Sequence, residues 1–158
     1  MSIDTVTAYL SEFHLDSRVM TFLESSATVE LAAVAVGCQP AQIAKTLSFR
    51  AEGGAMLIVA AGDAKIDNAK YKAQFHQKAA MLSHDEVESL LGLKVGGVCP
   101  FAVNVPVYLD VSLQRFDIVY PAAGNDHSAV KLTPAELETA SRAVGWIDVC
   151  KGWNEVQA

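Results

Sequence analysis

The 158-residue chain is about half apolar and carries a formal net charge of -6. Its length suits one domain, taken here as residues 1–158, with room for a substantial core, and a charged fraction of 19% fits an ordered globular protein. The acidic balance excludes broad electrostatic binding to nucleic-acid backbone, DNA included, because that mode needs a basic face.

The chain reads as alternating helices and strands. Apolar residues at Ile3, Val6, Leu10 and Phe13 have helical spacing, with Ser2 as N-cap. Arg18 to Leu23 reads as a strand. Thr28 caps a helix that runs through Val36 and stops at Gly37. Pro40 opens another short helix, expected to end near Lys45. Leu47 to Ala51 and Ala55 to Ala61 read as strands joined by the hairpin signal Glu52-Gly53-Gly54.

Asp67 to Phe75 reads as a polar helix and Ala79 to Leu82 as a short strand. Ser83-His84-Asp85-Glu86 is a capping box, opening a helix that Gly92 closes. Val105 to Asp110, Asp117 to Ala122 and Ala129 to Leu132 read as strands. Thr133-Pro134-Ala135-Glu136 starts a helix to about Ala143, which Gly145 ends, and Trp146 to Cys150 is a last strand. Hairpins interleaved with helices imply an α/β chain with a mixed sheet, not a doubly wound parallel one.

No apolar run has the length of a membrane span, and Met1 to Thr5 lacks the pattern of a signal peptide. Cys38, Cys99 and Cys150 are an odd count at wide spacing, which suits a reducing compartment better than a disulfide framework. The expected location is the cytoplasm, with no membrane partner.

Three stretches place small residues beside polar groups at joints between elements. In the first, Lys45 and Thr46 follow Ala44. An ammonium fixed there binds a phosphate or carboxylate in a cleft; otherwise it is a solvated lysine at a helix C-terminus. The second is Gly96-Gly97-Val98-Cys99-Pro100-Phe101. Its glycines either expose N–H groups that stabilise an oxyanion or form an ordinary turn. Cys99 either lines a pocket or is a small buried hydrophobe. The third, Gly124-Asn125-Asp126-His127-Ser128, offers donors, acceptors and a group that titrates near neutral pH, or is a plain turn.

No metal site is expected, since His14, His76, His84 and His127 form no close pair and Cys-x-x-Cys is absent. No cofactor motif is present: Walker, Gly-x-Gly-x-x-Gly and Gly-x-Ser-x-Gly patterns are all missing. Lys65, Lys70, Lys72 and Lys78 gather positive charge in one stretch. They form either a docking patch for a nucleic-acid end or a solvated helix face.

Taken in order, these stretches resemble the YbaK family, the prolyl-tRNA synthetase-associated or aminoacyl-tRNA editing domain, from about Thr28 to about Ala140. Gln42-Ile43-Ala44-Lys45-Thr46-Leu47 resembles the family segment with its functional lysine. Val95-Gly96-Gly97-Val98 with Pro100-Phe101 resembles its Gly-Gly-x-x-Pro loop. Gly62-Asp63, Val107-Tyr108-Leu109-Asp110 and Ala123-Gly124 follow in family order.

The resemblance implies a mixed, barrel-like sheet flanked by helices. It also implies a deacylase that hydrolyses the ester of a wrong amino acid on the tRNA end, with neither protein nucleophile nor metal. Lys45 would hold the tRNA end, and main-chain amides at Gly97 and Gly124 would face the ester. Thr46, Gly96, Cys99, Asn125, His127 and Ser128 would line the substrate site. Partners would be the aminoacyl-tRNA acceptor end and a synthetase. Cys99 and the Asn125–Ser128 loop depart from the pattern of many relatives, which leaves the amino acid open among cysteine, alanine and other small side chains. A non-catalytic amino-acid or aminoacyl-nucleotide binding module is the rival of another class. A hydrolase using Cys99 is a third reading.

Overall fold

A computed structural model describes residues 3–92 and 98–153. The first helix, α1 (Ile3–Ser11), buries Val6 and Leu10. A short strand, β1 (Val19–Thr21), follows. Helix α2 (Val29–Val36) starts where the Thr28 hydroxyl accepts from the Leu31 amide at 3.1 Å and ends at Gly37, whose φ is 84°. Glycine alone takes that conformation without strain from a Cβ.

The centre of the fold is a hairpin, β2 (Ile43–Ala51) and β3 (Gly54–Ala61), with partners running from Ala44↔Ala61 to Ala51↔Gly54. From Ala55 on, every residue of β3 is buried, as expected of a strand covered on both faces. The chain continues through β4 (Lys65–Ile66), α3 (Asn68–Phe75), α4 (His84–Leu91) and β5 (Val107–Asp110). It finishes with β6 (Tyr120–Pro121), β7 (Ser128–Val130), α5 (Pro134–Ser141), β8 (Gly145–Ile147) and β9 (Cys150–Lys151).

Five strands make a curled mixed sheet in the order β6-β2-β3-β5-β8. Only the β2–β3 pairing in it is antiparallel. Two smaller antiparallel pairs, β1–β7 and β4–β9, tie distant segments together. The core spans both sides of β3: Leu57, Ile58, Val59, Leu109, Leu113 and Leu132 are wholly buried.

The expected α/β class, mixed sheet and flanking helices are therefore present. Several boundaries differ. The helix expected from Pro40 to Lys45 is only a 3-10 turn at Pro40–Gln42, and β2 begins at Ile43. Lys45 is thus a strand residue opposite Ala60, not the end of a helix. The ladder to β3, with the parallel partner β6 on the other side, satisfies backbone groups that a lone helical turn would leave open.

The expected strand at Ala79 to Leu82 reduces to an isolated bridge between Met81 and Phe49. The strand expected at Asp117 to Ala122 is only β6 with a bridge from Val119 to Leu132. Helix α5 ends at Arg142, which takes the left-handed conformation (φ 53°), and Gly145 instead opens β8. The Trp146 to Cys150 strand is split between β8 and β9, which belong to different sheets. Ser2 and the Gly96-Gly97 pair lie outside the described residues.

Candidate active site

A cavity of about 350 Å³ opens beside β2. One wall is Ile43 to Ser48 of β2, and the start of α2 supplies Thr28, Val29 and Ala32. The segment around Met81 and His84, together with Val98, closes another side. Tyr120, Ala122, Ser128 and Ala129 complete it. Most of the enclosing side chains are small or aliphatic, so polar recognition falls to a few groups.

Lys45 is the cation of this wall. Its ammonium donates to the carbonyl oxygens of Gly62, at 3.3 Å, and of Ala64. Burial lowers the lysine's pKa from its ordinary value, while Cys150 and Asp63 oppose that shift. Two carbonyl partners satisfy part of the ammonium and fix its direction.

The acceptors themselves sit in a braced turn. The Ala64 amide donates to Ala61 O (3.0 Å), and the Ala61 amide donates to the Ser112 hydroxyl (3.1 Å). Arg115 grips Asp63 with two bonds, of 2.6 and 3.1 Å, in the fork geometry that suits guanidinium and carboxylate. Gly62 has no room for a side chain. A Cβ there would overlap the Pro40 carbonyl oxygen and come within 2.7 Å of Val29 Cγ1. The end of β3 is thus pressed against the elements that shape the cavity.

Thr46 lines the cavity, and its buried Oγ1 has no hydrogen-bond partner. A buried hydroxyl without a partner is costly, so this oxygen is an open acceptor and donor for a ligand.

The Gly124 loop spends most of its polar groups on itself. Gly124 has φ 104°. Asn125 Oδ1 accepts from the His127 amide at 3.0 Å, and the His127 ring meets Asp126 Oδ1 at 2.7 Å. Ser128 Oγ accepts from the Ala123 amide (3.2 Å) and donates to Asn125 O (3.3 Å). Of the site residues expected in this loop, Ser128 reaches the cavity wall; Gly124, Asn125 and His127 are not on it.

Cys99 also departs from expectation. It is fully buried, its Sγ lies 3.7 Å from Phe101 O, and its neighbour Val98 is the residue on the wall. Burial pushes the thiol up to about 11. The thiolate is the nucleophilic form, so this cysteine is unsuited to attack. Among the described residues no group of three His, Cys, Asp or Glu side chains is placed to hold a metal ion. No helix among them is long and apolar enough to cross a membrane.

The structure thus brings Lys45, Thr46 and Ser128 to one hollow. It adds Ser26, Met81, His84 and Tyr120, which sequence patterns did not mark. Each of those four has an ordinary local reading, and only the packing of β2 against α2 and the β6–β7 region gathers them.

A fold of this kind, with a buried strand lysine facing a small hollow, is that of a domain that edits aminoacyl-tRNA. The family model of the aminoacyl-tRNA editing domain matches residues 24–140, and the chain belongs to that family. It is 51% identical over 156 residues to the uncharacterized protein YwhH of Bacillus subtilis (strain 168), covering 97% of this chain and 99% of that one. It is 27% identical over 124 residues to a proline–tRNA ligase of Desulfovibrio desulfuricans. That match takes in 77% of this chain and 21% of the ligase. A crystal structure described as a candidate trans-editing enzyme for prolyl tRNA synthetase superposes with a TM-score of 0.85. That protein is 30% identical, with 95% of this chain and 97% of that one covered.

Proposed function

We propose that the protein is an aminoacyl-tRNA deacylase that acts in trans, clearing a small mischarged amino acid, with tRNA(Pro) the foremost substrate. The observation that carries this reading is the Lys45 ammonium, held by two carbonyls on the wall of a small cavity in an editing-family chain. Action in trans is supported by the near full-length match to YwhH and by the trans-editing candidate's structure. The ligase match supports tRNA(Pro) and association with a prolyl synthetase.

Lys45 holds the phosphate or ribose of the terminal adenosine. The Thr46 hydroxyl and Ser128 contact the ester or the amino-acid head. Main-chain amides at Gly97 and Gly124 supply the oxyanion donors, with Gly96 beside them. Water attacks the carbonyl carbon, a substrate sugar hydroxyl assisting. The bond to the ribose oxygen then breaks, releasing the free amino acid and a tRNA with both terminal hydroxyls restored. No side-chain nucleophile is needed.

Small wall residues such as Ala32, Ala44, Ala122 and Ala129 suit a small acyl side chain. The physical need is plain. One methylene gives a synthetase only about 1–3 kcal/mol of discrimination, so similar side chains are mischarged and a second sieve removes them.

The test is release of amino acid from tRNA charged with alanine, serine or cysteine, with Lys45→Ala as comparison. The expected result is rapid hydrolysis of at least one ester, lost in the variant. Binding of an aminoacyl-adenosine analogue with no turnover across the panel would place the chain among binding modules instead.

A further inference from the structure

Strand β4 pairs with β9 so that Lys65 lies directly opposite Lys151. Both side chains are exposed. Like charges facing across an antiparallel pair destabilise it, and this chain has an excess of acids from which to choose a partner. The arrangement therefore works against the fold.

Its position is next to the site. Lys65 follows Ala64, whose carbonyl holds the Lys45 ammonium. Beyond the burial that dominates, the Lys65 charge adds to the lowering of the Lys45 pKa, so the two cations share one field. A third cation, Lys70, reaches across to Cys150 O (3.1 Å) and pairs with Asp148 (3.0 Å).

The nearby carboxylates are engaged. Asp63 is held by Arg115. Asp67 accepts from the Ala69 and Lys70 amides at the start of α3 (2.9 and 3.1 Å), and those bonds, with Lys151 and Lys70, hold its carboxyl below its usual range. Asp148 takes Lys70. Neither Lys65 nor Lys151 has an ion-pair partner within 4.0 Å among the described residues.

We propose that the Lys65–Lys151 pair on β4 and β9 is a phosphate-binding ridge that holds the RNA backbone adjoining the acylated nucleotide while the ester occupies the cavity beside Lys45. The occupant is polyphosphate backbone of RNA. Its charge spacing suits two neighbouring ammonium groups, and its counterion release supplies the free energy. This assignment rests on the editing reading above and adds to it a surface outside the cavity. It also divides the basic stretch seen in the sequence. Lys65 joins the ridge, Lys70 is occupied by Asp148, and the second member comes from the far end of the chain.

The experiment compares two substrates of the wild-type protein, a full aminoacyl-tRNA and the same amino acid esterified to adenosine alone. Lys65→Ala and Lys151→Glu are expected to raise KM for the full tRNA. The rise should be roughly five- to tenfold per lysine at 0.1 M salt, as a slope of about 0.9 per phosphate implies. The adenosine ester should show unchanged kcat and KM. Lys151→Glu places opposite charges across the pair, so its melting temperature should hold or rise while tRNA affinity falls. A merely structural role would move both the same way.

A parallel arm measures binding of an unacylated acceptor-stem minihelix against salt. Each variant should make the slope of log K against log salt less steep by about 1. Equal KM for tRNA and an unchanged salt slope in both variants would overturn the ridge even if the wild type hydrolyses its ester. If the wild type hydrolyses nothing, the editing reading fails, and the minihelix slope still decides the ridge.

Discussion

The ammonium of Lys45 on β2 donates a hydrogen bond to the carbonyl oxygen of Gly62, 3.3 Å away, just past the far end of the partner strand β3. The cation on the cavity wall is therefore aimed by backbone that is itself clamped, by Arg115 on Asp63 and by Pro40 against Gly62. Replacing Lys45 by Ala should lower kcat/KM for the edited tRNA by about 10²-fold or more, the scale of losing one preorganised polar group from an active site. Steady-state deacylation assays read this directly, and near-normal rates would remove Lys45 from the mechanism.

The same lysine sets an alkaline limit. Burial lowers its pKa, so the charged form is lost at a lower pH than for an ordinary lysine. Binding of tRNA should weaken as pH rises through that lowered value. The folded state also holds its Lys45 proton less tightly than the unfolded chain, so this group's contribution to stability rises with pH up to the ordinary value of 10.5. A KM–pH profile of wild type against Lys45→Arg checks the binding part, because the arginine stays charged and should flatten the alkaline limb.

Gly62→Ala should destabilise the fold by about 1–3 kcal/mol or more, because the new methyl meets backbone and not the end of a flexible side chain. Activity should fall further than stability predicts, since the Gly62 carbonyl is a partner of Lys45. Denaturant melts alongside rates measured well below the midpoint separate the two effects.

Thr46→Val should leave stability unchanged or slightly raised, because it deletes a buried hydroxyl that has no partner in the protein. Substrate hydrolysis should drop if that hydroxyl meets the ester. Gain in melting temperature together with loss in kcat/KM is the expected pair of readings.

Cys99 and Cys150 oppose alkaline stability. Burial pushes the first to about 11, and burial with Asp110 beside it pushes the second to about 12. Their folded pKa values lie above those of the unfolded chain, so the stability they contribute is complete below about 9 and is lost as pH rises toward 11–12. Cys99→Ala should make the alkaline fall of stability shallower and leave deacylation intact. Inactivation of the native protein by a thiol reagent at neutral pH, reversed by this substitution, would restore the cysteine to the chemistry.

Local signals marked helix ends well. Thr28, Ser83 and Thr133 cap the helices they were expected to cap, and Gly37 and Gly92 end theirs. Each device acts within a turn of its own residues, so neighbours in sequence suffice to reveal it. Arg142 shows the limit. It stops α5 in a conformation more typical of glycine, its guanidinium lying over Tyr9 and Phe13 (5.4 and 5.8 Å) from the other end of the chain.

Strand register was legible only where a hairpin made it local. The β2–β3 pair announced itself through Gly53-Gly54, but β6 beside β2, and β9 beside β4, are crossovers between segments tens of residues apart. This is why Lys45 read as the end of a helix. Nothing near it in sequence says that β3 and β6 flank it.

The amino-acid sequence by itself determined an α/β fold with a mixed sheet, the caps of its helices, and the residues that mark the editing family, because these depend on local backbone chemistry and on ordered motifs. Only the tertiary structure decided that Lys45, Thr46 and Ser128 share one hollow while Cys99 is sealed in the core and Asn125 and His127 turn to their own loop. It alone set Lys65 across from Lys151. Those outcomes depend on which distant surfaces exclude water from one another, and that is settled by packing over the whole chain.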